Sequence, residues 1–400
     1  MSRLSELIAE LCPDGVEYRT LGEVGQFLRG SSFQKKHFTE AGVPCIHYGQ
    51  VHTRFGVSTN HVVSYLDESF AARMKHAQHG DLIIATTSED DEAVGKATAW
   101  MGDFDVVVSN DAFIYRHTLD PMYVSHFFAS DQFQQAKMPF ITGAKVRRLS
   151  GEDMSKICIP VPPIEVQREI VRILDSFREL DDSMAAEIES RTRQFEHYRD
   201  ALLGSRLTEY CPNGVDYKAL GEVAPFVRER ANTDEAQFDA YVGVDALLQN
   251  KEGRDLTKTD IPSGRHVYFR PGDTLVGNIR PYLKKIWYAD CFGGTNGDVL
   301  VFRSTDSLET KYLYHVLASD VFFDYDNGHA KGSKMPRGDK GFIKDYRIPV
   351  PPIEVQREIV SMLDSFQLLI VVMNVERDVR RKQFAYYRDK LLDFPKKVTT

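Results

Sequence analysis

IPVPPIEVQREIVRILDSF (159–177) returns as IPVPPIEVQREIVSMLDSF (348–366), with 17 of 19 residues identical at an offset of 189. The same offset carries RTRQFEHYRDALL (191–203) onto RRKQFAYYRDKLL (380–392). It also carries Tyr123-x-x-His126-x-x-Ala129-Ser130-Asp131 onto Tyr312-x-x-His315-x-x-Ala318-Ser319-Asp320. Upstream, CPDGVEYRTLGEV (12–24) returns as CPNGVDYKALGEV (211–223), now at offset 199. The change of offset means that the stretches between have gained or lost residues. One unit, made of repeated blocks around a divergent middle, therefore occurs twice. The register also wraps around. YRDALLGSRLTEYCPNGV leads into the second unit, whereas the lead-in missing before CPDGV is supplied by YRDKLL near the C-terminus. The chain reads as a circle cut in one helix, with its two ends close together.

Each repeated block opens with Pro-Pro (162–163 and 351–352), which suits a first helical turn. About forty residues without proline or glycine follow, enough for a helix roughly 60 Å long. Apolar side chains fall at Val166, Ile170, Ile173, Phe177, Leu180 and Met184, in steps of four and three that define a heptad seam. The second copy keeps Val355, Ile359, Met362, Phe366, Leu369 and Met373, while Arg377 stands where the first has Ile188. Such a stripe can lie on its own domain. Two like stripes in one chain can instead pair around a two-fold axis as antiparallel helices, and this second arrangement is the expected one.

The divergent stretches, 25–118 and 224–303, carry short β-rich runs with turn signals. In the first these are Pro44–Tyr48, Asp81–Thr87, Asp105–Ser109 and Ala112–Tyr115. In the second they are Ala240–Val244, Asp273–Ile279, Lys285–Tyr288 and Asp298–Phe302. The YxxHxxASD segments have helical spacing. Each divergent part is thus expected to be a mixed α/β domain joined to its long helix by a short strand.

At 400 residues the chain has room for two or three domains. Its net charge of −8 argues against a generic polyanion binder. Five scattered cysteines without a CxxC pair suggest reduced thiols in a cytoplasm. No run approaches ~18 consecutive apolar residues, so no membrane span is expected, and the N-terminus has no secretory h-region. There is no GxxxxGK[ST] loop and no HExxH. His47/His52 and His76/His79 read as unpaired histidines, and Ser88–Glu92 as a solvated acidic loop. No metal site, cofactor site or catalytic constellation is expected. The remaining signal is local basicity. GAKVRR and GSKMPR align at offset 189 and match Lys145 to Lys334 and Arg148 to Arg337. Around them stand Arg147, Lys331, Lys340 and Lys344, and a second cluster holds Asn278, Arg280, Lys284 and Lys285.

The two IPVPPIEVQREIV blocks, one central and one C-terminal, each follow a variable domain with GD-type strands (Gly80–Ile84, Gly272–Val276). In this the chain resembles the specificity subunit of type I restriction–modification enzymes over essentially its whole length. The resemblance implies a mixed α/β (α+β) fold with an internal pseudo-two-fold repeat. It has two target-recognition domains, 1–158 and 211–347, and two antiparallel helical spacers, 159–210 and 348–400. It implies that each domain reads one half of a bipartite double-stranded DNA target, and that two modification subunits dock on the helices. Methyl transfer from S-adenosylmethionine would belong to those subunits and ATP-driven cleavage to restriction subunits. The present chain would be non-catalytic, cytoplasmic and without a cofactor. Arg, Asn and Gln at base edges and Lys and Arg on phosphates are the expected contacts. The candidates are Lys145, Arg147, Arg148, Asn278, Arg280, Lys284, Lys331, Lys334 and Arg337. The seam residues Val166, Ile170, Ile173, Phe177, Val355, Ile359, Met362 and Phe366 are the candidates for subunit assembly. Two other readings stay open: a coiled-coil scaffold joining two protein-binding domains, and a self-sufficient restriction–methylation enzyme, whose motifs are missing.

If the helices are the ruler, spacer length in the target follows helix length. One heptad added after Ser183 and another after Val372 keep the seam in phase and add about 10.5 Å. That is about three base pairs at a rise of ~3.4 Å. Selection over a library of spacer lengths should then favour a longer spacer with both half-sites unchanged. An unmoved spacer in a variant that still assembles would remove the helices from that role.

Overall fold

The repeated Ile-Pro-Val runs are strands, and each lies antiparallel on the strand that follows the repeated Cys-Pro turn. The computed structural model describes residues 3–397. In it Glu17 pairs with Val161 and Tyr18 with Pro160, while Asp216 pairs with Val350 and Tyr217 with Pro349. The segments that repeat at offset 199 are therefore the ladder partners of those that repeat at 189. Prolines are admissible here because a two-stranded ladder leaves one edge of each strand free.

Directly after each ladder a buried glutamine fixes the start of the long helix. Gln167 Nε2 donates to the Pro162 carbonyl (2.7 Å), and its Oε1 accepts from the Asp120 N–H (2.9 Å). Gln356 does the same with Pro351 (2.8 Å) and Glu309 (2.8 Å). Asp120 and Glu309 are the N-caps of the short helices Pro121–Phe128 and Thr310–Leu317, built from the YxxHxxASD segments. The hydroxyls of Tyr123 and Tyr312 donate to the Pro160 and Pro349 carbonyls.

The chain divides into two compact units, residues 1–184 with 376–400, and residues 185–375. The division runs through both long helices, Ile164–Leu202 and Ile353–Leu392, so each unit holds one domain and a part of each helix. In the first unit a five-stranded sheet runs 25–29, 112–117, 82–85, 97–100, 58–59. A second five-stranded sheet runs 38–39, 65–66, 43–46, 106–108, 76–77. The second unit has a four-stranded sheet (230–232, 265–269, 293–295, 240–241) and a three-stranded one (286–288, 274–277, 299–302). The expected β-rich runs are all represented. The first unit also brings the described ends of the chain together, as the wrapped register requires. Val16 bridges to Lys396, and the Tyr18 hydroxyl donates to the Phe394 carbonyl (2.9 Å).

Within each unit the helix segments run antiparallel. In the first, Phe177 stacks on Tyr387 (5.8 Å) and packs against Phe384 (6.2 Å). One turn further, Asp181 accepts from both Arg377 and Arg381 at 2.9–3.1 Å. In the second, Tyr198 packs on Phe366 (5.4 Å). Arg377, which stands where the first stripe has Ile188, is thus held by an ion pair with Asp181.

The seam needs correcting at its start. Val166 and Ile170 are fully buried in the core of their own domain, and Ile359 lies likewise in the other. Leu174 and Leu363, outside the heptad pattern, are equally buried. Steps of four (166, 170, 174 and 355, 359, 363) follow the 3.6-residue period of a helix lying on a globular core. Ile173, Val355 and Met362 are partly buried against the same cores. Phe177 and Phe366 do face the neighbouring helix. Val166, Ile170 and Ile359 are thus internal to their units, while Ile173, Phe177, Val355, Met362 and Phe366 keep part of their surface exposed. The uncovered apolar side chains lie elsewhere on the C-terminal helix, at Leu368, Val371, Val372 and Val375. That helix holds an 18-residue window of mean hydropathy 1.6, apolar enough by length and composition to cross a membrane. The sequence reading by unbroken apolar runs had not anticipated it. Asp364, ion-paired to Lys311 and hydrogen-bonded to His315, lies on this same helix.

Replacing Gln356 by Leu strands the Glu309 N–H and the Pro351 and Ser307 carbonyls that it serves. Stranded buried groups cost about 1–3 kcal/mol each. The expected result is a lower Tm, with faster hydrogen exchange confined to 185–375; Gln167→Leu should act in the same way on the other unit. Unchanged melting and exchange in either variant would contradict the anchoring role.

Candidate nucleic-acid interface

A turn that carries a residue at positive φ favours glycine there. Gly143 (φ +92°) and Gly332 (φ +103°) stand at matching points of the two aligned basic motifs. At Gly143 a Cβ would lie 2.2 Å from the Val146 carbonyl oxygen, so only glycine fits. Each motif folds into a small hairpin. Thr142 and Arg148 exchange both backbone hydrogen bonds (3.0 and 2.8 Å), and so do Lys331 and Arg337 (2.9 Å each). The first hairpin lies on Thr87–Ser88 and the second on Ile279, both just beyond the GD-type strand of their domain. The alignment read from the sequence is therefore an alignment in space within each unit.

Nine candidates were expected at the interface, and the structure separates them into three groups. Lys145, Arg148, Arg280 and Lys334 are exposed and, among the described residues, free of ion pairs. Arg147, Lys284, Lys331 and Arg337 already hold carboxylates. Arg147 pairs with Asp91 (2.8 Å), Lys331 with Asp339 (2.5 Å) and Arg337 with Asp298 (3.2 Å). Lys284 and Lys251 converge on Asp320 at 2.8 and 2.6 Å, and they hold its carboxyl down at about 2. Lys284 is thus a structural cation. Asn278 is a second correction, because it is buried and its Oδ1 is shielded from solvent. Its backbone is committed as well, accepting from the Gly338 N–H and donating to the Asp298 carbonyl.

The root of the second hairpin carries a tension that the sequence did not reveal. Asp326 is buried with neither carboxylate oxygen hydrogen-bonded, and burial pushes it up to about 6. A Cβ at Gly338 would meet Asp326 Oδ1 at 2.2 Å and Asn278 Oδ1 at 3.0 Å, so both oxygens close around that glycine. Next to it Arg280 (φ +54°) and Lys284 (φ +49°) flank the 3₁₀ turn Pro281–Leu283 in the left-handed region. Non-glycine residues there are strained, and such strain gathers at sites of function. The Arg280 N–H is held by the Pro336 carbonyl at 2.7 Å.

The acidic loop of the first domain binds the protein's own cations. The fully buried Lys137 ammonium donates to the Glu92 and Val94 carbonyls (2.8 and 2.6 Å), and burial lowers it to about 8. Of the histidines, His52 meets the Thr87 carbonyl and His79 the Gly102 carbonyl. Among the described residues no three metal-ligating side chains come together.

Two domains of unlike body, each with the same basic hairpin beside a helix opened by IPVPP, define a pattern that can be compared with known proteins. The family described as type I restriction modification DNA specificity domain matches residues 13–190 and again 212–377. The chain belongs to this family. It is similar to the EcoR124I/EcoR124II specificity subunit of Escherichia coli, at 28% identity over 272 residues. That match covers 63% of this chain and 66% of the relative, so it spans just under two thirds of that protein. A putative type I specificity subunit of Haemophilus influenzae is 25% identical over 320 residues, covering 70% and 74%. Among solved structures, a chain from a type I restriction–modification system superposes with a TM-score of 0.60 at 20% identity, covering 95% and 97%. The likeness is one of fold, and in this chain that fold has two globular domains and two long helices.

The specificity-domain hairpin root gives a pH test. A folded pKa of about 6 for Asp326 lies above the usual 3.8. Its favourable contribution is therefore complete below about 3.8 and lost as pH rises through about 6. The cost above that window is on the order of 3 kcal/mol. Asp326→Asn should raise the melting temperature at pH 7.5 and change it little at pH 4. An equal gain at both pH values would show that the carboxylate charge is not the cause.

Proposed function

We propose that this chain is the DNA-recognition subunit of a type I restriction–modification complex. Each domain reads one half of a bipartite duplex target, and the paired helices set the separation of the halves. The observation that carries the reading is the free lysine, Lys145 or Lys334, at the same place on the same hairpin of two otherwise divergent domains. Phosphates are the same in every half-site and bases are not. A shared cation therefore suits backbone contact, and the divergent loops suit base readout.

Modification subunits, two by the symmetry of the repeat, would dock on the helices, and for one of them the uncovered apolar stretch Leu368–Val375 of the C-terminal helix offers a surface. The fully buried Val166, Ile170 and Ile359 would support this from within. Adenine methylation would take place on those partners, with S-adenosylmethionine held there, and cleavage on restriction subunits. Mapping methylated adenines in a host with and without this gene tests the reading as a whole. Methylation at a two-part sequence should vanish with the gene, and an unchanged pattern would refute it.

The contacts can be tested separately. In the assembled complex Lys145→Ala with Lys334→Ala should flatten the slope of log K against log salt by about two units, at ~0.9 per phosphate. The order of preferred sequences should stay the same. An unaltered slope would take both lysines off the DNA.

A further inference from the structure

At the tip of each hairpin the lysine is followed by an exposed aliphatic side chain that lies outside every hydrophobic core. Val146 follows Lys145 and Met335 follows Lys334, and the two positions match at the repeat offset. Their side chains are 45% and 46% exposed. Neither belongs to any hydrophobic core of its unit. The hairpins are closed by their own backbone bonds and positive-φ glycines, so the folding of the turn does not call for an apolar tip.

We propose that Val146 and Met335 are matched wedges that enter a groove of the duplex and press on a base step, one beside each half-site. The inference rests on the proposed DNA-recognition role and goes beyond it. Each tip has a free lysine before it, and Arg148 closes the first hairpin behind its tip. Cations that hold phosphates on either side of an aliphatic side chain are what a wedge at a base step requires. Val and Met share apolar character and little shape. A base step accepts Phe, Leu, Ile, Met or Pro alike, whereas a socket on a protein partner would favour one shape. The wedge is common to both domains while the bodies around it differ, so its task is one that every half-site presents. Opening the stack next to a base that must leave the helix is such a task.

The test uses the complete complex with its modification subunits on a duplex bearing 2-aminopurine beside a target adenine. The Val146→Ala, Met335→Ala double variant should bind about five- to tenfold more weakly. Its 2-aminopurine signal should fall, and its salt slope and order of sequence preference should be unchanged. Met335→Leu should restore binding to within about twofold, which separates a wedge from a misfolded hairpin. The proposal is overturned if the alanine variant matches the wild type in both affinity and fluorescence. It is also overturned if the alanine variant loses the modification subunits on copurification, which would assign the tips to a protein partner. A wild-type complex that prefers no duplex would instead bring down the recognition role itself, and the wedge with it.

Discussion

Two buried glutamines hold this architecture together. A strand ending in Ile-Pro-Val-Pro-Pro and running directly into a helix leaves proline carbonyls facing the protein interior with no N–H nearby to serve them. The short helix that packs behind presents the opposite problem, an N–H at its N-cap with no acceptor. One amide side chain solves both, because it donates at one end and accepts at the other. Gln167 spans the gap in the first unit and Gln356 in the second, at nearly equal distances. Only glutamine has both the reach and the two polarities. A carboxylate would lack the donor, and an aliphatic would strand both partners at the full desolvation cost. The direction in which each long helix leaves its domain follows from this contact.

The pattern of repetition follows in turn. The Cys-Pro turn and strand pair with the Ile-Pro-Val strand, so a change in either block must be answered in the other. The domain body sits between these blocks in sequence and outside their ladder in space. It can then exchange two five-stranded sheets for a four- and a three-stranded one without disturbing the helix junction. Even the junction varies where a charge can be answered locally. Lys311 and His315 gather on Asp364 in the second unit, whereas at the equivalent place in the first Asp175 meets Arg178 and the lysine position is Met122.

Much of this was legible in the sequence because repetition and period are local properties. The helices, the wrapped register, the strand runs and the alignment of GAKVRR with GSKMPR could all be read from spacing. The sequence could not show which face of a helix turns inward. Val166 and Ile170 satisfy a heptad seam and a globular face equally well, and only the buried Leu174 and Leu363 decide between them. Nor could it show which charges are already taken. Lys284 and Lys334 look alike in sequence, yet one is held by a carboxylate 36 residues away and the other is free. Asn278 looked like a base reader because asparagine is polar, and its burial depends on a glycine 60 residues later that leaves room for it and Asp326.

The same distinction bears on how an acidic chain can take the proposed role on a polyanion. A net charge of −8 counts every ionised group once, but long-range attraction at physiological salt reaches only about 8 Å. Within that distance four of the eight candidate cations are neutralised by Asp91, Asp298, Asp339 or Asp320. Those pairs make the loops stiff and contribute little field. Lys145, Arg148, Arg280 and Lys334 are left, few in number and exposed. A duplex held by few phosphate contacts is gripped weakly by charge alone. On the proposed role, binding energy would then come from shape and stacking, with more of the work on groove contacts than on the backbone, and two half-sites together would succeed where one would not.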